Sequence, residues 1–427
     1  MREKLQAIRG MNDITPTEIF IWQKIENSLR KLASQYGYQE IRFPILEKTE
    51  LFKRCIGNVT DIVEKEMYTF IDRNGDSLSL RPEGTAGCVR AGIEHGLLFN
   101  QIRRWWYLGS MFRHERPQKG RYRQFHQFGA EVFGISQPYI DAELILMTAR
   151  LWEELDLKHS LNLQINSLGS SASRQTHRES LANYFALHIE YLDEDSKRRL
   201  QTNPLRILDS KNADMQQLIE EAPKILDFLD ADSQKDFSIL QKILTHADIG
   251  FTINPRLVRG LDYYNKTVFE WVIADEQQAA QSTVCAGGRY DNLVEQLGGH
   301  AMPAVGFAIG IERLISLLPK LNSAVSFSAP DVYFITLGES AIHKGLLFAE
   351  YLRKRLPALN LILDVTGDAM RSQFKRADKS SARFALILGE EELKAGTFIM
   401  KNLREKTPQE IILQNEVIQK IESIFML

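Results

Sequence analysis

The stretch FRHERPQKGRYRQFHQ, residues Phe112 to Gln127, concentrates positive charge in a chain whose formal net charge is only −2. Its sixteen residues include five Arg or Lys, two His and a single acid, Glu115. From Arg103 to Arg123, seven basic residues accompany that one acid, and such density costs self-repulsion unless a polyanion offsets it. The stretch therefore predicts a site for a phosphate-bearing ligand, with a solvated hairpin edge as the alternative.

Two long strands are predicted on either side of this stretch, RRWWYLGSMFRHE and RYRQFHQFGAEVFG. Because side chains alternate along a strand, one face of the second carries cations, a ring, an amide and a carboxylate. These are Arg121, Arg123, Phe125, Gln127, Gly129 and Glu131. The face predicts a nucleotide lying lengthwise, with phosphates on arginines and a polar small molecule beyond its base. The chain has neither GxxxxGK followed by Ser or Thr nor GxGxxG opening a helix, so strand side chains must build any phosphate site.

Composition limits the class of protein. Hydrophobic residues make up 44% and charged residues 25% of the 427, as in ordinary soluble globular proteins. The 53 basic and 55 acidic residues balance, which argues against a polybasic nucleic-acid coat. Cys55, Cys88 and Cys285 form no CxxC or Cys/His cluster, so we expect reduced thiols and no protein-ligated metal. With no signal-like N-terminus and no long apolar run, we expect a cytoplasmic protein without a membrane partner.

Apolar spacing predicts helices over 17–36, 86–95 and 140–155. The predicted strand YQEIRFPIL contains Pro44, which favours an edge or an interface over a sheet centre. Asn74-Gly75 predicts a hairpin between MYTFI and SLSLRP. Later in the chain, FTINPRLVRGLDYYNKTVFEWVI predicts strand, CAGGRYDNL a Gly-rich turn, and AVGFAIGIERLISLL a strand followed by a helix.

Two changes of pattern predict the domain organisation. Residues from about 170 to 249 are charge-rich and helix-like, with no Gly from Ser170 through Asp248, which predicts a mainly helical insertion. PKLNSAVSFSAP is typical of a linker, and beyond it strands and helices alternate as in a small α/β domain with a mainly parallel sheet. We expect one domain over 1–325 and a second over 326–427.

Several segments together resemble the histidyl-tRNA synthetases, a family of class II aminoacyl-tRNA synthetases. FRHE with RYRQF resembles motif 2, AIGIERL (308–314) resembles motif 3, and the helix, strand and Pro44 near the N-terminus resemble the dimerising motif 1. RGLDYY (259–264) and AGGRYDNL (286–293) are similar to the two histidine signatures, while LRPEGT and FKRADKSSA also fit. The resemblance implies an α/β protein: an α+β catalytic domain with an antiparallel sheet flanked by helices, a helical insertion, and a C-terminal mixed α/β anticodon-binding domain.

The resemblance implies that histidine and ATP form histidyl-adenylate and pyrophosphate, and that the histidyl group then passes to tRNA(His). Arg113 matches the arginine on the α-phosphate, and Arg259 lies beside that phosphate in the family, where a guanidinium takes over a role of a metal. The ATP-binding set that the resemblance implies is Arg113, Glu115, Arg121, Phe125 and Arg313. Phe125 would stack on adenine. Mg²⁺ is expected to accompany ATP.

The same resemblance implies a histidine pocket. Glu83, Thr85 and Gln127 match the residues that bind the α-ammonium group, since carboxylate and amide oxygens accept from its N–H donors. Glu131 and Tyr264 match the residues at the two imidazole nitrogens, and Tyr263 belongs to the same wall. Alternatives remain: the two tyrosines as core aromatics, Glu83 as an acid at a helix N-terminus, and the glycines of AGGRYDNL as a plain tight turn rather than a close approach to substrate.

A basic cluster lies in the predicted second domain, RSQFKRADKSSAR. The resemblance makes it part of an anticodon-binding surface whose cations contact tRNA phosphates, with a solvated helix face as the alternative. The candidate tRNA-binding residues are Arg371, Lys375, Arg376 and Lys379. A homodimer is expected from the motif 1 likeness.

Three other functions fit parts of the sequence. One is a catalytically inactive histidyl-synthetase-like regulatory subunit of histidine biosynthesis, which would lack the C-terminal domain and have eroded signatures. A second is a class II synthetase for another amino acid, such as threonine or proline, although these lack LDYY. A third is a tRNA-binding module, which leaves the nucleotide-binding residues unexplained.

Overall fold

The computed structural model describes residues 4–57, 60–118, 120–208, 210, 212–258, 261–274, 283–318 and 329–425. Two units are separable, Met1–Lys320 and Leu321–Leu427. The predicted boundary after residue 325 falls outside the described residues, and so does Arg259. In the described part of the chain, no helix has the length and apolar character needed to cross a membrane.

The first unit begins with short elements around one amphipathic helix. They are α1 (Ile19–Gln35), β1 (Gln39–Glu40), β2 (Leu46–Lys48), α2 (Thr49–Ile56), a π-helical turn (Ile62–Glu66), β3 (Thr69–Ile71), β4 (Ser77–Leu80) and α3 (Thr85–Glu94). The helices predicted over 17–36 and 86–95 are confirmed as α1 and α3. The predicted hairpin is confirmed too, with Gly75 at φ +88° in its turn. The strand predicted at YQEIRFPIL, with an interruption at Pro44, is present as two short strands: β1 ends before Pro44, β2 begins after it, and the two join different sheets.

Next come the two strands of the basic stretch. They belong to the series β5 (Arg103–Phe112), β6 (Gln124–Phe133), α4 (Tyr139–Glu154) and β7 (Leu161–Ser167). Both strands are shorter than predicted, and Arg121 and Arg123 lie in the loop that joins them. Arg121 pairs with Gln118 in an isolated bridge, and the Arg123 N–H donates to Gly10 O at 2.7 Å. These local bonds take the backbone groups that a longer ladder would use.

Residues 170–249 are helical, as predicted. The segment contains α5 (Ser171–Leu187), α6 (Glu194–Thr202), α7 (Gln216–Glu221) and α8 (Ala231–His246), joined by short 3₁₀ turns. The side chains of Ser170, Asp193 and Asp230 accept N–H groups of the first turns of α5, α6 and α8, which explains where these helices begin. Leu181 and Phe185 belong to a small core of the segment's own.

The first unit closes with β8 (Phe251–Ile253), β9 (Asn265–Ile273), β10 (Thr283–Arg289), α9 (Leu293–Gln296), β11 (Ala304–Gly310) and α10 (Ile311–Leu317). The Gly-rich turn predicted at CAGGRYDNL is wrong, because Gly287 and Gly288 lie within β10 at the sheet centre. A Cβ on Gly287 would collide with Gly306 O, and one on Gly288 would lie 2.6 Å from Thr267 O. Crowding against neighbouring strands, rather than a turn, therefore requires these glycines.

Eight of the eleven described strands of this unit form one sheet in the order β1-β5-β6-β11-β10-β9-β7-β8, and the other three form a small sheet in the order β2-β4-β3. Pairing is antiparallel except at its ends, where β1 with β5 and β7 with β8 are parallel. One face packs Phe128, Ala130 and Val132 of β6 against α1, α4 and α8. Tyr107 and Phe133 lie in a separate core cluster with α2 and α3. The predicted antiparallel sheet flanked by helices is confirmed.

The second unit contains β12 (Val332–Thr336), α11 (Glu339–Arg355), β13 (Leu361–Leu363), α12 (Met370–Lys379), β14 (Phe384–Leu388), α13 (Glu390–Ala395), β15 (Thr397–Asn402), β16 (Glu410–Leu413) and α14 (Val417–Phe425). Its sheet has the order β13-β12-β14-β15-β16. The predicted parallel alternation holds for β13, β12 and β14. The antiparallel strands β15 and β16 were not predicted; in β15 only Phe398 and Met400 are buried, and in β16 only Ile412 is.

Candidate active site

A cleft on the large sheet brings together residues that are far apart in the chain. Its walls come from β6, β9, β10 and β11, the loop after β5, the start of α3 and the segment 261–264. The predicted site residues that line it are Glu83, Thr85, Arg113, Glu115, Arg121, Phe125, Gln127, Tyr263, Tyr264 and Arg313. Glu131 lies just behind this lining and is 1% exposed. Arg259 lies outside the described residues, so its placement stays a prediction.

Arg113 is oriented by the main chain of a neighbouring segment. Its Nε donates to Pro82 O at 2.9 Å, in the LRPEGT stretch, and the side chain lines the cleft. Glu115 Oε1 lies 4.0 Å from Arg113 Nη1, and Arg121 Nη1 donates to Glu115 Oε2 at 3.3 Å. One carboxylate therefore accompanies two guanidinium groups, and the excess charge stays positive.

A third guanidinium comes from the helix after β11. Arg313 Nη1 donates to Thr283 O at 2.5 Å and its Nε to Gly120 O at 3.4 Å. Burial, together with the neighbouring charges of Arg121 and Arg113, lowers the pKa of Arg313 to about 10. A bound anion would relieve this repulsion, so the cluster is suited to phosphate groups.

The ring of Phe125, on β6, lies beside Arg113 of the cation cluster. The guanidinium carbon of Arg113 lies 5.3 Å from its centroid, a cation–π distance. The ring is half-buried and faces the cleft. A planar aromatic group next to three guanidiniums is an arrangement that can hold a base beside its phosphates.

The other end of the cleft is acidic. Glu83 is 3% exposed and accepts from Thr85 N at 2.7 Å and Ala86 N at 2.9 Å, so it caps α3 as well as lining the cleft. Glu83 is therefore an acid at a helix N-terminus that also lines the cleft, and its binding of an ammonium group stays a prediction. Burial raises its pKa, while the two N–H donors oppose that shift. Gln127 Oε1 is buried and has no hydrogen-bond partner among the described residues, so it could accept from a ligand N–H.

Glu131 is surrounded by hydroxyl donors. Thr85 Oγ1 donates to Oε1 at 2.8 Å, Tyr107 Oη to Oε1 at 3.1 Å, and Tyr290 Oη to Oε2. Burial raises the pKa of Glu131 to about 8, although these hydroxyl groups favour its charged form. Two carboxylate oxygens offer about four acceptor positions, so three donors leave room for one more.

Three tyrosines form the wall beside Glu131. The rings of Tyr263 and Tyr264 lie 4.6 Å apart, and Tyr290 packs edge-on against Tyr263 at 5.6 Å. Tyr263 and Tyr264 are 4% and 6% exposed. They are core aromatics and cleft residues at once, so the alternatives weighed from sequence are not exclusive.

Tyr107 and Tyr290 both contact Glu131, and neither was predicted from the sequence. A signal for each was present. A Cβ on Gly129 would collide with the Tyr107 ring, so this glycine on the Glu131 face of β6 marks space for a neighbouring side chain. Tyr290 lies inside the AGGRYDNL segment, which was interpreted only through its glycines.

A second missed contact joins the two motifs that form the cation cluster. Glu312, next to Arg313, accepts from the main-chain N of His126 and from its ring Nδ1, each at 2.9 Å. Ser110 Oγ lies 3.1 Å from the other ring nitrogen. This partly buried carboxylate fixes the start of α10 against β6, between Phe125 and Gln127.

Two carboxylates could accompany a metal-bound triphosphate. Glu115 and Glu270 both line the cleft, and oxygen ligands are those that Mg²⁺ prefers. Thr283 Oγ1 donates to Glu270 Oε2 at 2.8 Å. The described residues contain no group of three or more His, Cys, Asp or Glu arranged to hold a metal ion. The donor set therefore fits an ion that arrives with a triphosphate, which supplies the remaining oxygens.

The predicted tRNA-binding residues all lie on α12 of the second unit. Arg371, Lys375 and Lys379 are exposed and recur every four residues, so they form one row. Arg376 is held differently: it donates to Asp364 Oδ2 at 2.8 Å and Asp368 Oδ2 at 2.7 Å. Its guanidinium therefore stabilises the unit's own loop.

Models of known protein families match both units of the chain. A family model described as histidyl-tRNA synthetase matches residues 10–314, and one described as anticodon binding domain matches residues 331–424. The chain belongs to the histidyl-tRNA synthetase family. The segments matched cover both units and all the described residues of the cleft.

Solved structures agree with the histidyl-tRNA synthetase family. The apo S. aureus histidyl-tRNA synthetase is 35% identical, with a TM-score of 0.81 over 98% of this chain and 100% of that one. The Nostoc sp. PCC 7120 histidyl-tRNA synthetase is 19% identical, with a TM-score of 0.65 over 99% and 100%. A Bacillus halodurans C protein, described as an ATP phosphoribosyltransferase regulatory subunit/histidyl-tRNA synthetase, is 20% identical, with a TM-score of 0.64 over 91% and 99%. These last two likenesses show the fold alone.

Proposed function

We propose that this protein is a histidine–tRNA ligase. It activates histidine with ATP to give histidyl-adenylate and pyrophosphate, then transfers the histidyl group to the 3′ end of tRNA(His). One observation carries the proposal: Arg113, Arg121 and Arg313 line the same cleft as Glu83, Thr85 and Gln127. A cleft with a cationic end and an acidic end suits a triphosphate and an ammonium-bearing substrate held side by side.

Adenylation in this cleft needs charge placement more than proton transfer. An oxygen of the histidine carboxylate bonds to the α-phosphorus, and the bond from that phosphorus to the departing pyrophosphate breaks. Negative charge builds on the α-phosphate, where Arg113, anchored by Pro82 O, is proposed to stabilise it. Arg259 is proposed to act there too, as the resemblance implies. Arg121 and Arg313 bind the leaving phosphates, and Phe125 supports adenine. Mg²⁺ bound to the ATP would add charge stabilisation, with Glu115 and Glu270 beside it.

Selection of histidine rests on the buried end of the cleft. An imidazole N–H can donate to the remaining acceptor position of Glu131. Tyr264 is proposed to lie beside the other ring nitrogen, as the resemblance implies. The α-ammonium group would donate to Glu83, Thr85 and Gln127, whose Oε1 has no partner within the described residues. A site built to hydrogen-bond both ring nitrogens rejects analogues by roughly 10⁴, since mismatches leave buried polar groups unpaired.

The second step uses the tRNA. A hydroxyl of its terminal ribose bonds to the acyl carbon while the bond from that carbon to the AMP oxygen breaks. The exposed row Arg371, Lys375 and Lys379 is proposed to contact phosphates near the anticodon, with Arg376 in a supporting role. We also propose that the protein works in the cytoplasm as a homodimer, from the motif 1 likeness.

An inactive regulatory subunit of histidine biosynthesis is the second candidate. The fold likeness to the Bacillus halodurans protein favours it. Two features support the ligase instead: Arg113, Arg121 and Arg313 line one cleft, and the second unit matches an anticodon binding domain. Against a class II synthetase for another amino acid, we note that Glu131, bonded by three hydroxyl groups, is proposed to bind an imidazole N–H.

ATP–pyrophosphate exchange with each of the twenty amino acids separates these candidates. We expect strong exchange with histidine and none with the other nineteen, followed by charging of tRNA(His). No exchange with any amino acid would favour the regulatory subunit or a binding module. Exchange with threonine or proline would favour a related synthetase.

A further inference from the structure

The short segment Leu261–Tyr264 lies between the cleft and the helical segment 170–249. Leu261, Tyr263 and Tyr264 line the cleft, so this segment builds the wall beside Glu131. Two of its main-chain carbonyl groups, those of Asp262 and Tyr264, point the other way, towards α5. Whatever holds those carbonyls also sets where the tyrosine rings stand.

Arg174, in the first turn of α5, holds both carbonyls. Its Nη1 donates to Tyr264 O at 2.5 Å and its Nη2 to Asp262 O at 3.4 Å. A planar guanidinium bonded to two carbonyls two residues apart defines the orientation of the backbone between them. Tyr263, the residue between those two, is thereby fixed as well.

The guanidinium of Arg174 is desolvated at this position. Burial lowers its pKa, and the charge of Asp262 opposes that shift. A buried cation is expensive unless its donors are satisfied. Here the satisfying groups are main-chain oxygens of the cleft wall, so the cation and the wall segment depend on each other.

Asp262 provides a second connection to the helical segment. Its Oδ1 lies 3.5 Å from Asn203 Nδ2 and 3.5 Å from Arg206 Nη2. On its other side, Asp262 N donates to Ile56 O at 3.2 Å, and a Cβ on Gly57 would lie 2.5 Å from Asp262 Oδ2. The segment is therefore clamped between α2 and the helical segment.

We infer that Arg174 is a positioning residue for the histidine pocket, and that the helical segment 170–249 takes part in amino-acid binding through it. The inference rests on the proposed function, which supplies histidine as the ligand. Arg174 acts through Tyr264 and Tyr263 and touches neither substrate. Loss of Arg174 should therefore weaken histidine binding while the cation cluster, which lies on the loop between β5 and β6 and on α10, keeps its affinity for ATP.

The variants Arg174→Gln and Arg174→Lys test this, with Arg178→Gln as the control. Arg178 lies one turn later on α5, and its Nη2 donates to Thr202 O, away from the cleft. In histidine-dependent pyrophosphate exchange we expect Arg174→Gln to raise the KM for histidine at least tenfold and to leave the KM for ATP within twofold. Arg174→Lys, which keeps a charged donor, should recover part of the loss, and Arg178→Gln should match the wild type.

Histidine binding by isothermal titration calorimetry supplies a readout that needs no catalysis. Equal losses for histidine and ATP, a fall in maximal rate alone, or no change in the KM for histidine would each overturn the inference. If Arg174→Gln does not fold, as judged by its thermal unfolding, Arg174→Lys decides by the same ratio. If the wild type binds histidine but shows no exchange, the proposed function is contradicted. The inference is then tested by comparing the histidine affinities of the variants and the wild type. If the wild type binds no histidine, both the proposed function and the inference on Arg174 are contradicted.

Discussion

The cleft of the first unit and helix α12 of the second are both rich in arginine, yet they hold their cations differently. In the cleft, Arg113 and Arg313 are anchored through main-chain carbonyls and converge with Arg121 around one hollow. On α12, Arg371, Lys375 and Lys379 stand exposed along one row, and Arg376 bonds inward to Asp364. Anchored, convergent cations suit transition-state stabilisation, whereas a solvated row suits the diffuse charge of a nucleic-acid backbone.

The largest expected difference concerns Arg113. Arg113→Gln should slow histidine-dependent exchange by about 10²–10³-fold, because a preorganised donor to the α-phosphate is lost. The matched control is Arg116→Gln, an exposed cation of the same loop, which should change exchange less than twofold. Equal effects of the two variants would show that the loop contributes only its net charge.

Arg259 tests the part of the cleft that the sequence alone predicts. Arg259→Ala should lower the adenylation rate by at least ~10²-fold while ATP binding survives, as for a contact made only in the transition state. Single-turnover kinetics with a separate measurement of ATP affinity checks this. Weaker ATP binding at an unchanged rate would contradict the assigned role.

The α12 row should behave in the opposite way. Replacing Arg371, Lys375 and Lys379 by Gln together should weaken tRNA binding about tenfold or more and reduce the salt dependence of log Kd by roughly 0.7 per lost phosphate contact. Exchange without tRNA should stay unchanged. Filter binding at several salt concentrations measures both. A tRNA affinity that keeps its full salt slope would show that the row is only a solvated face.

The smallest effects are those of pH, and they have opposite signs in the two units. Burial raises the pKa of Glu131 to about 8, so the folded state holds a proton that the unfolded state loses near pH 4.5. Stability from this group is therefore lost as pH rises from about 4.5 to 8. Glu131→Gln should gain stability relative to the wild type over that range, on the order of a few kcal/mol at most. Thermal unfolding at pH 5 and pH 8 checks the trend.

Asp364 supplies the contrast within the second unit. Burial alone would raise its pKa, but hydrogen bonds from Arg376, Thr366 and Tyr333 lower it to about 2. Its stabilising contribution is present above pH 4 and is lost as pH falls towards 2. Asp364→Asn should therefore be less stable than the wild type at pH 7 and approach it at low pH. If both carboxylates shifted stability in the same direction, the assigned environments would be wrong.

Much of the local structure could be predicted from the sequence. The long helices and the β-strand to α-helix step at AVGFAIGIERL follow from apolar spacing and appear as predicted. The errors occur where tertiary contacts override a local signal. Gly287 and Gly288 indicated a turn, yet neighbouring strands need their missing side chains, and Arg121 and Arg123 left the strand because loop contacts took their backbone groups.

Arg113 and Gln127 could be named from sequence because strand alternation sets cations and an amide on one face, and Arg313 because AIGIERL resembles motif 3 of the family; the roles of all three come from that resemblance. The hydroxyl groups around Glu131 and the Arg174 clamp could not, since their partners lie 24 to 159 residues away in the chain. Residue type and periodicity act over a few positions and so determine elements, motifs and charge. Burial, hydrogen-bond partners and pKa values depend on which distant segments meet, and only the folded arrangement decides that.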